Sequence, residues 1–488
     1  MFSSGLFMLL TLLAYFLLLL FVSRRSRGTS DNDAFFRAGR RSPWMMVAFG
    51  MIGASISGVS FISVPGWVGA THMTYLQMCA GFFFGYVIVA YVLLPLYYKL
   101  QLTSIYDYLG QRFGRSTHRT GAVFFLLSKL TGAAARLYLV VLVLQQFISA
   151  PLGIPYPVTA AATLLLIWLY TRRAGMRALV RTDALQTLCM LLALVGVIWL
   201  AARSLGLNAA GVVALVKESP MSQVFEWDPA SKQAFWRQFL SGVFIVIVMT
   251  GLDQDMMQKN LTCRSLREAQ KDMCCYGLMF LPVNLLFLAL GVLLYALCAQ
   301  QGITPPAQSD ELLPMLVERG VLGHLVIIPF TIGIVAAAFS SADSAITALT
   351  TSVCIDILGV ERKGFDKARA ERWRKRTHVV MVALFFGCIL LFRVVNSTNV
   401  INAIYVMAGY TYGPLLGLYA FGLFTRCGVR DRLVPVVCLV APVVCGLLDY
   451  YAPRLFHYTF GYELLLLNGA LTFAGLLLLQ KRRNETTL

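Results

Sequence analysis

The sequence predicts an all-α integral membrane protein whose core is two halves of five helices each, related by an inversion. Three observations lead there. Of the 488 residues 58% are apolar and 13% charged, and the mean hydropathy is +0.72, which excludes a soluble globular protein. Two apolar runs are interrupted by polar residues, at places that divide the chain into similar halves. The basic residues fall mostly on alternate loops.

The apolar runs are long enough to cross about 30 Å of hydrocarbon as helices, about 13 spans in all, and they lack the alternating short strands of a β-barrel. The first, 5–22, has neither a basic n-region nor a small-residue cleavage site, and Arg24, Arg25 and Arg27 follow it. It reads as a retained helix with its N-terminus outside, not a signal peptide. Threading on from there puts loops 23–43, 99–119, 171–182, 259–271, 359–377, 425–432 and 481–488 on one side. These loops hold 32 of the 41 Lys and Arg residues, so they are expected to be cytoplasmic, along with the C-terminus. The expected location is the inner (plasma) membrane, crossed many times. The net charge of +18 is then a topology signal and not a nucleic-acid surface, and the stretch Arg362 to Arg376 faces anionic lipid headgroups. Membrane lipid is thus an expected partner, and no obligate protein partner is evident.

Five units follow in order. Residues 1–43 are an extra helix and loop, and 44–203 are the first repeat. Residues 204–233 form an extracytoplasmic loop, 234–425 the second repeat, and 426–488 two extra helices and a tail. The first repeat opens on the interrupted span 44–70. Its run from Gly53 to Pro65 contains four serines, two glycines and a proline. Backbone that leaves the helix at membrane depth must face protein or a watery cavity, where its carbonyls can hold a small cation. The alternative is a close helix-packing face. After span 75–98 comes a polar, aromatic hinge from Lys99 to Gly114, and span 117–149 is long enough to be strongly tilted. Spans 156–171 and 183–203 complete the half. The second repeat opens on 234–256, where Thr250, Gly251, Asp253 and Asp255 interrupt an apolar run.

Within span 325–358, Ala337, Ser340, Ser341 and Ser344 stand at i, i+3, i+4 and i+7 and share a helix face. Their hydroxyls and a carbonyl make an oxygen-only niche that suits a hard cation, or they back-bond and bend the helix. Arg136 lies inside a span. An intramembrane guanidinium costs at least about 2.5 to 3.5 kcal/mol and needs a partner, either a solute carboxylate or an acid such as Asp343 or Asp253. Lys129, seven residues earlier, is expected to snorkel toward the cytoplasm. Asp253 to Lys259 either gates the inner exit or caps loop 259–271. The eleven cysteines contain no CxxC pair and the five histidines no metal-ligand spacing. No HExxH or GxSxG pattern suggests an enzyme.

The Gly53 and Ser340 stretches, together with Gly175 to Gln186, Asp253 to Lys259, Gly413 to Phe424 and the hinge Leu102 to Leu109, resemble the sodium:solute symporter family over nearly the whole chain. The resemblance implies a LeuT-like fold and sodium as the coupling ion. It implies a main sodium site from carbonyls of Gly53, Ile56 and Ala337 and hydroxyls of Ser340 and Ser341. A second cation site would fall on Asp183, Ser340, Asp343 and Ser344. Asp343 replaces an expected serine, and its carboxylate would strengthen the site, admit a proton, or pair with a Lys or Arg. Solute contacts would fall on Ser55, Ser57, Ser60 and the capping aromatic Tyr75, with Arg136 and Asp253. An expected amide is Cys79 here, and Gly132 occupies the place of the sialic-acid carriers' arginine. The implied activity is sodium-coupled symport of a small polar solute, leaning to an anionic one such as a sugar acid or other carboxylate. A neutral sugar or amino acid is the near alternative, and a membrane solute sensor the alternative of another class. The chain ends at Leu488 with no output domain, which weighs against the sensor.

Overall fold

The computed structural model describes residues 2–25, 40–171, 176–360, 366–395, 400–455 and 457–481. The charges of loop Arg362–Arg376, expected to be cytoplasmic, fall partly, and the 172–175 stretch wholly, outside the described residues. Helix α1 (Phe2–Arg25) is apolar up to Arg24 and Arg25, cations suited to a helix C-terminus. The first interrupted span is a bent pair, α2 (Trp44–Ser55) and α3 (Gly58–Thr71), meeting at 59°. Ile56 (φ −80°, ψ 97°) and Ser57 (φ −89°, ψ 175°) are extended, so the α-helix stops where the serines and Gly58 begin.

The first half continues through α4 (Tyr75–Lys99), hinge helix α5 (Asp107–Arg112), α6 (Arg115–Leu152), α7 (Tyr156–Thr171) and α8 (Met176–Ser204). A surface helix, α9 (Ala209–Glu218), lies in the linking segment, its first turn capped by the Asn208 side chain. The second half opens on another bent pair, α10 (Phe235–Gly251) and α11 (Gln254–Asn260), at 70°. It goes on through α12 (Leu266–Gln301), the short α13 (Leu312–Glu318), α14 (His324–Ile357), α15 (Lys367–Val395) and α16 (Val400–Phe424). Helices α17 (Val434–Leu455) and α18 (Leu464–Leu478) follow, and Gly428–Val429 pairs with Gln480–Lys481 in a two-residue ladder.

Two bent pairs, each opening five apolar helical spans, make the LeuT-like inverted repeat. Among the described residues eight helices are long and apolar enough to cross a membrane, or ten when each bent pair is one span. The long span expected at 117–149 is α6, which passes through a π-helical turn at Gln145–Ser149 and ends in a 3-10 turn at Ala150–Leu152.

Contacts between the halves explain several sequence features. Helices α4 and α10 cross so closely that a Cβ at Gly81 would meet the Phe239 carbonyl at 2.1 Å, and one at Gly242 the Met78 carbonyl at 2.3 Å. Pro414 in α16 has no N–H for the Tyr410 carbonyl, one turn back. Asn468 of α18 supplies the missing donor, its Nδ2 lying 2.9 Å from that carbonyl oxygen. The hinge is stitched to the α10–α11 break. Tyr106 donates to the Leu252 carbonyl at 2.9 Å, the Ile105 N–H to Gln254 Oε1 at 2.9 Å, and Gln254 Nε2 to the Thr103 carbonyl at 2.9 Å.

Candidate functional site

Helix α14 runs through the centre of the molecule and is buried from Gly333 to Ser352. Its serine face meets two elements. Toward α2, Ser341 Oγ donates to the Ala54 carbonyl at 3.2 Å, one residue from Gly53 and two from Ile56. Toward α8, Ser340 Oγ donates to Asp183 Oδ1 at 3.0 Å and Ser344 Oγ to Asp183 Oδ2 at 3.3 Å. Helix α2 lies tight on α8, since a Cβ at Gly53 would come within 2.1 Å of Thr187 Oγ1. The carbonyl of Ala54 beside the break, the serine hydroxyls and a carboxylate therefore come together in one buried, hydrogen-bonded cluster of oxygens. This donor set fits a hard monovalent cation.

Asp343 is buried beside this cluster. Tyr170 donates to its Oδ2 at 2.7 Å and Ser344 to its Oδ1 at 3.2 Å. An ion pair with Lys or Arg was one expectation for Asp343, and among the described residues none is within salt-bridge reach of it. The cation of the cluster is Lys259, whose Nζ lies 2.9 Å from Asp183 Oδ2. Counting Lys259 with loop 259–271 is thus corrected. It ends α11 with only 1% of its surface exposed, because the 70° bend turns that short helix into the protein.

A second space lies between the two bent pairs and helices α4, α6, α12 and α16. This cavity of about 90 Å³ is lined by Ser55, Tyr86, Arg136, Asp253, Tyr276, Tyr405 and Tyr412 among others. Ser55 Oγ bonds the Tyr276 hydroxyl, which also accepts from Tyr86 at 2.8 Å. Asp253 caps α11, accepting from the Asp255 N–H at 2.9 Å, and its Oδ2 accepts from Tyr412 at 2.6 Å. Lys129 does not snorkel outward. Its ammonium is buried 3.2 Å from Asp253 Oδ2 and 2.7 Å from Asp255 Oδ2, since two acids on the broken helix offer it better partners than a long reach to water. Asp253 is therefore not the partner of Arg136. Among the described residues no carboxylate is within salt-bridge reach of the Arg136 guanidinium, which is half-buried at the cavity wall.

Of the residues expected to touch solute, Ser55, Arg136 and Asp253 line this cavity and Ser57, Ser60 and Tyr75 lie outside it. Tyr75 reaches its edge through Tyr405, the hydroxyls being 3.1 Å apart, and through the ring of Phe82. The sequence reading named Asp255 and Lys259 only within the stretch Asp253 to Lys259, as a gate or a loop cap and not as partners in buried ion pairs, and it did not name Tyr170 or Asn468. A signal for the pairing was present: Asp255 and Lys259 are spaced i, i+4 within an interrupted apolar run, where charges pair.

Comparison with known proteins gives three findings. The model of the sodium:solute symporter family matches residues 35–428. The chain is 24% identical over 426 residues to the sodium/iodide cotransporter of Homo sapiens, covering 83% of this chain but only 63% of that relative's length. It is 24% identical over 440 residues to the sodium/sialic acid symporter NanT of Aliivibrio fischeri, covering 86% and 83% of the two chains. Among solved structures, the substrate-bound outward-open state of a Na+-coupled sialic acid symporter superposes with TM-score 0.83 at 20% identity, over 98% of this chain and 100% of that one.

Proposed function

Since this chain belongs to the sodium:solute symporter family, we propose that it is a sodium-coupled secondary symporter that imports a small organic anion by alternating access. One observation carries the anionic reading: Arg136 faces the central cavity with no carboxylate in salt-bridge reach among the described residues. A guanidinium at that depth needs a counter-charge, and a carboxylate matches its fork bidentately. Iodide and sialic acid, the solutes named for two of the relatives, are both anionic species, which agrees.

The main sodium ion is assigned to carbonyls of Gly53, Ile56 and Ala337 and the hydroxyls of Ser340 and Ser341. The contact of Ser341 with Ala54 supports this, because it brings the serine helix against the break. Asp183, Asp343 and Ser344 are assigned to a second cation. A sodium ion at the main site ties the broken helix to α14 and favours the solute-competent arrangement by as much as it binds that arrangement more tightly. The solute is assigned to Arg136 and Ser55, with Asp253 fixed by Lys129 and Tyr412 as part of the wall. A cavity of about 90 Å³ is smaller than the ~150 Å³ one that holds benzene in an engineered protein. A short carboxylate fits it as it stands, and a sugar acid requires it to widen. The two halves at 44–203 and 234–425 serve as the moving repeats, in an inner (plasma) membrane with the N-terminus outside and the C-terminus cytoplasmic.

The test is uptake into proteoliposomes of labelled lactate, pyruvate, gluconate, sialic acid, glucose and proline, with and without an inward sodium gradient. Gradient-driven accumulation of one of the acids is expected. Accumulation of only glucose or proline would overturn the anionic reading, and accumulation indifferent to sodium the coupling.

A further inference from the structure

Four buried carboxylates and two ammonium groups run in single file from the cavity to the cation pocket. Lys129 Nζ lies 3.2 Å from Asp253 Oδ2 and 2.7 Å from Asp255 Oδ2. Lys259 Nζ lies 3.8 Å from Asp255 Oδ1 and 2.9 Å from Asp183 Oδ2. Ser344 Oγ then joins Asp183 to Asp343, at 3.3 Å and 3.2 Å. Asp253 and Lys129 line the cavity at one end of this file, and Asp183 shares Ser340 with the serine face at the other.

Asp255, at the middle, holds a different lysine on each oxygen. Its Oδ1 accepts no hydrogen bond among the described residues, and 3.8 Å from Lys259 is too long for one. Lys259 thus has two acids within reach, a near one and an open one. A buried ammonium cannot be left without a partner, and among the described residues Asp255 is the other acid within salt-bridge reach when it leaves Asp183.

We propose that Asp255 is a relay that reports occupancy of the cation pocket to the solute cavity. This rests on the reading of sodium as the coupling ion. A sodium ion entering at Asp183 competes with the Lys259 ammonium and moves it onto Asp255 Oδ1. Shared with that second cation, Asp255 holds Lys129 less tightly, and the Lys129 ammonium turns toward Asp253 and the cavity beside Arg136. The potential there becomes more positive, which favours an anion. No bond is made or broken, and the linkage is reciprocal, so an anion in the cavity tightens sodium binding.

The relay is tested with sodium alone, by binding of ²²Na⁺ to the purified protein across a double-mutant cycle. Asp255→Asn removes the open acceptor and is expected to weaken sodium binding about fivefold or more, while Lys129→Gln, which frees Asp255 for Lys259, tightens it. When Asp255→Asn is already present, Lys129→Gln is expected to leave sodium affinity unchanged, and Asp255→Glu is expected to preserve the Lys129→Gln effect. Through-space electrostatics without a relay makes the two effects add, so additivity overturns the proposal. If Lys129→Gln does not fold, Lys129→Arg replaces it, and equal shifts in sodium affinity with and without Asp255→Asn again overturn it. Wild-type protein that binds no sodium would sink the functional reading itself.

Discussion

The chemistry of this protein rests on how few charged side chains it buries and how they are shared. Lys129 and Lys259 are each held by acids on two sides, whereas Arg136 has none within salt-bridge reach among the described residues. That difference is the basis for proposing the arginine, and not the lysines, as the solute's partner. Arg136→Gln is expected to lower uptake of the preferred acid about tenfold to a hundredfold, the loss of a hydrogen-bonded charge pair worth about 1.5–3 kcal/mol. The kinetics of uptake check this, and unaltered uptake would leave Arg136 without a role in binding. Ser341 is the hydroxyl that touches the broken helix. Ser341→Ala is expected to raise the sodium concentration for half-maximal uptake about tenfold, as one lost oxygen ligand out of a few should do. A sodium titration of uptake measures it, and an unchanged midpoint would remove Ser341 from the site.

At the scale of elements, each half begins with a helix that stops partway, and different chemistry stops each one. Extended backbone at Ile56 and Ser57 ends α2, and Ser57 opens the next helix without a side-chain cap. Asp253 ends the second break by capping α11, and so the same carboxylate that lines the cavity also shapes the bend. Gly53 is the contact that holds the first break against α8. Gly53→Ala would drive a methyl into Thr187, so it is expected to destabilise the fold by roughly 1–3 kcal/mol, with sodium affinity falling as the break shifts. Adding Thr187→Ala removes the nearest atom and should recover part of both. Thermal unfolding with and without sodium reads the two effects, and a neutral Gly53→Ala would mean that the α2–α8 contact is looser than these distances.

For the whole molecule, the distribution of basic residues and the inversion of the halves make one prediction about orientation. Lys232, in the segment between the halves, and Lys375, at the start of α15, are both exposed. In intact cells, a membrane-impermeant maleimide is expected to label Lys232→Cys, and to label Lys375→Cys only after permeabilisation, above the background of the native cysteines. The reverse pattern would invert the assigned orientation. The hinge belongs to this scale too, its bonds from Tyr106, Ile105 and Thr103 linking a loop of the first half to the α10–α11 break of the second.

Helical class, the two interrupted spans and the serine face were legible in the sequence because each depends on local order: run length, period, and the residues that stop a helix. The same holds for Arg136 as a charge in search of a partner. Which partner each charge takes was decided by tertiary structure alone. Lys259 reads as a loop residue until a 70° bend carries it inward to Asp183, and Lys129 reads as an outward-reaching side chain until Asp253 and Asp255 are placed beside it. Asn468 is more than fifty residues from the carbonyl that Pro414 leaves free, and no local pattern joins them. Spacing along a chain determines which groups share a helix face; pairing across a membrane core depends on where separate helices cross, and that is a property of the packed molecule.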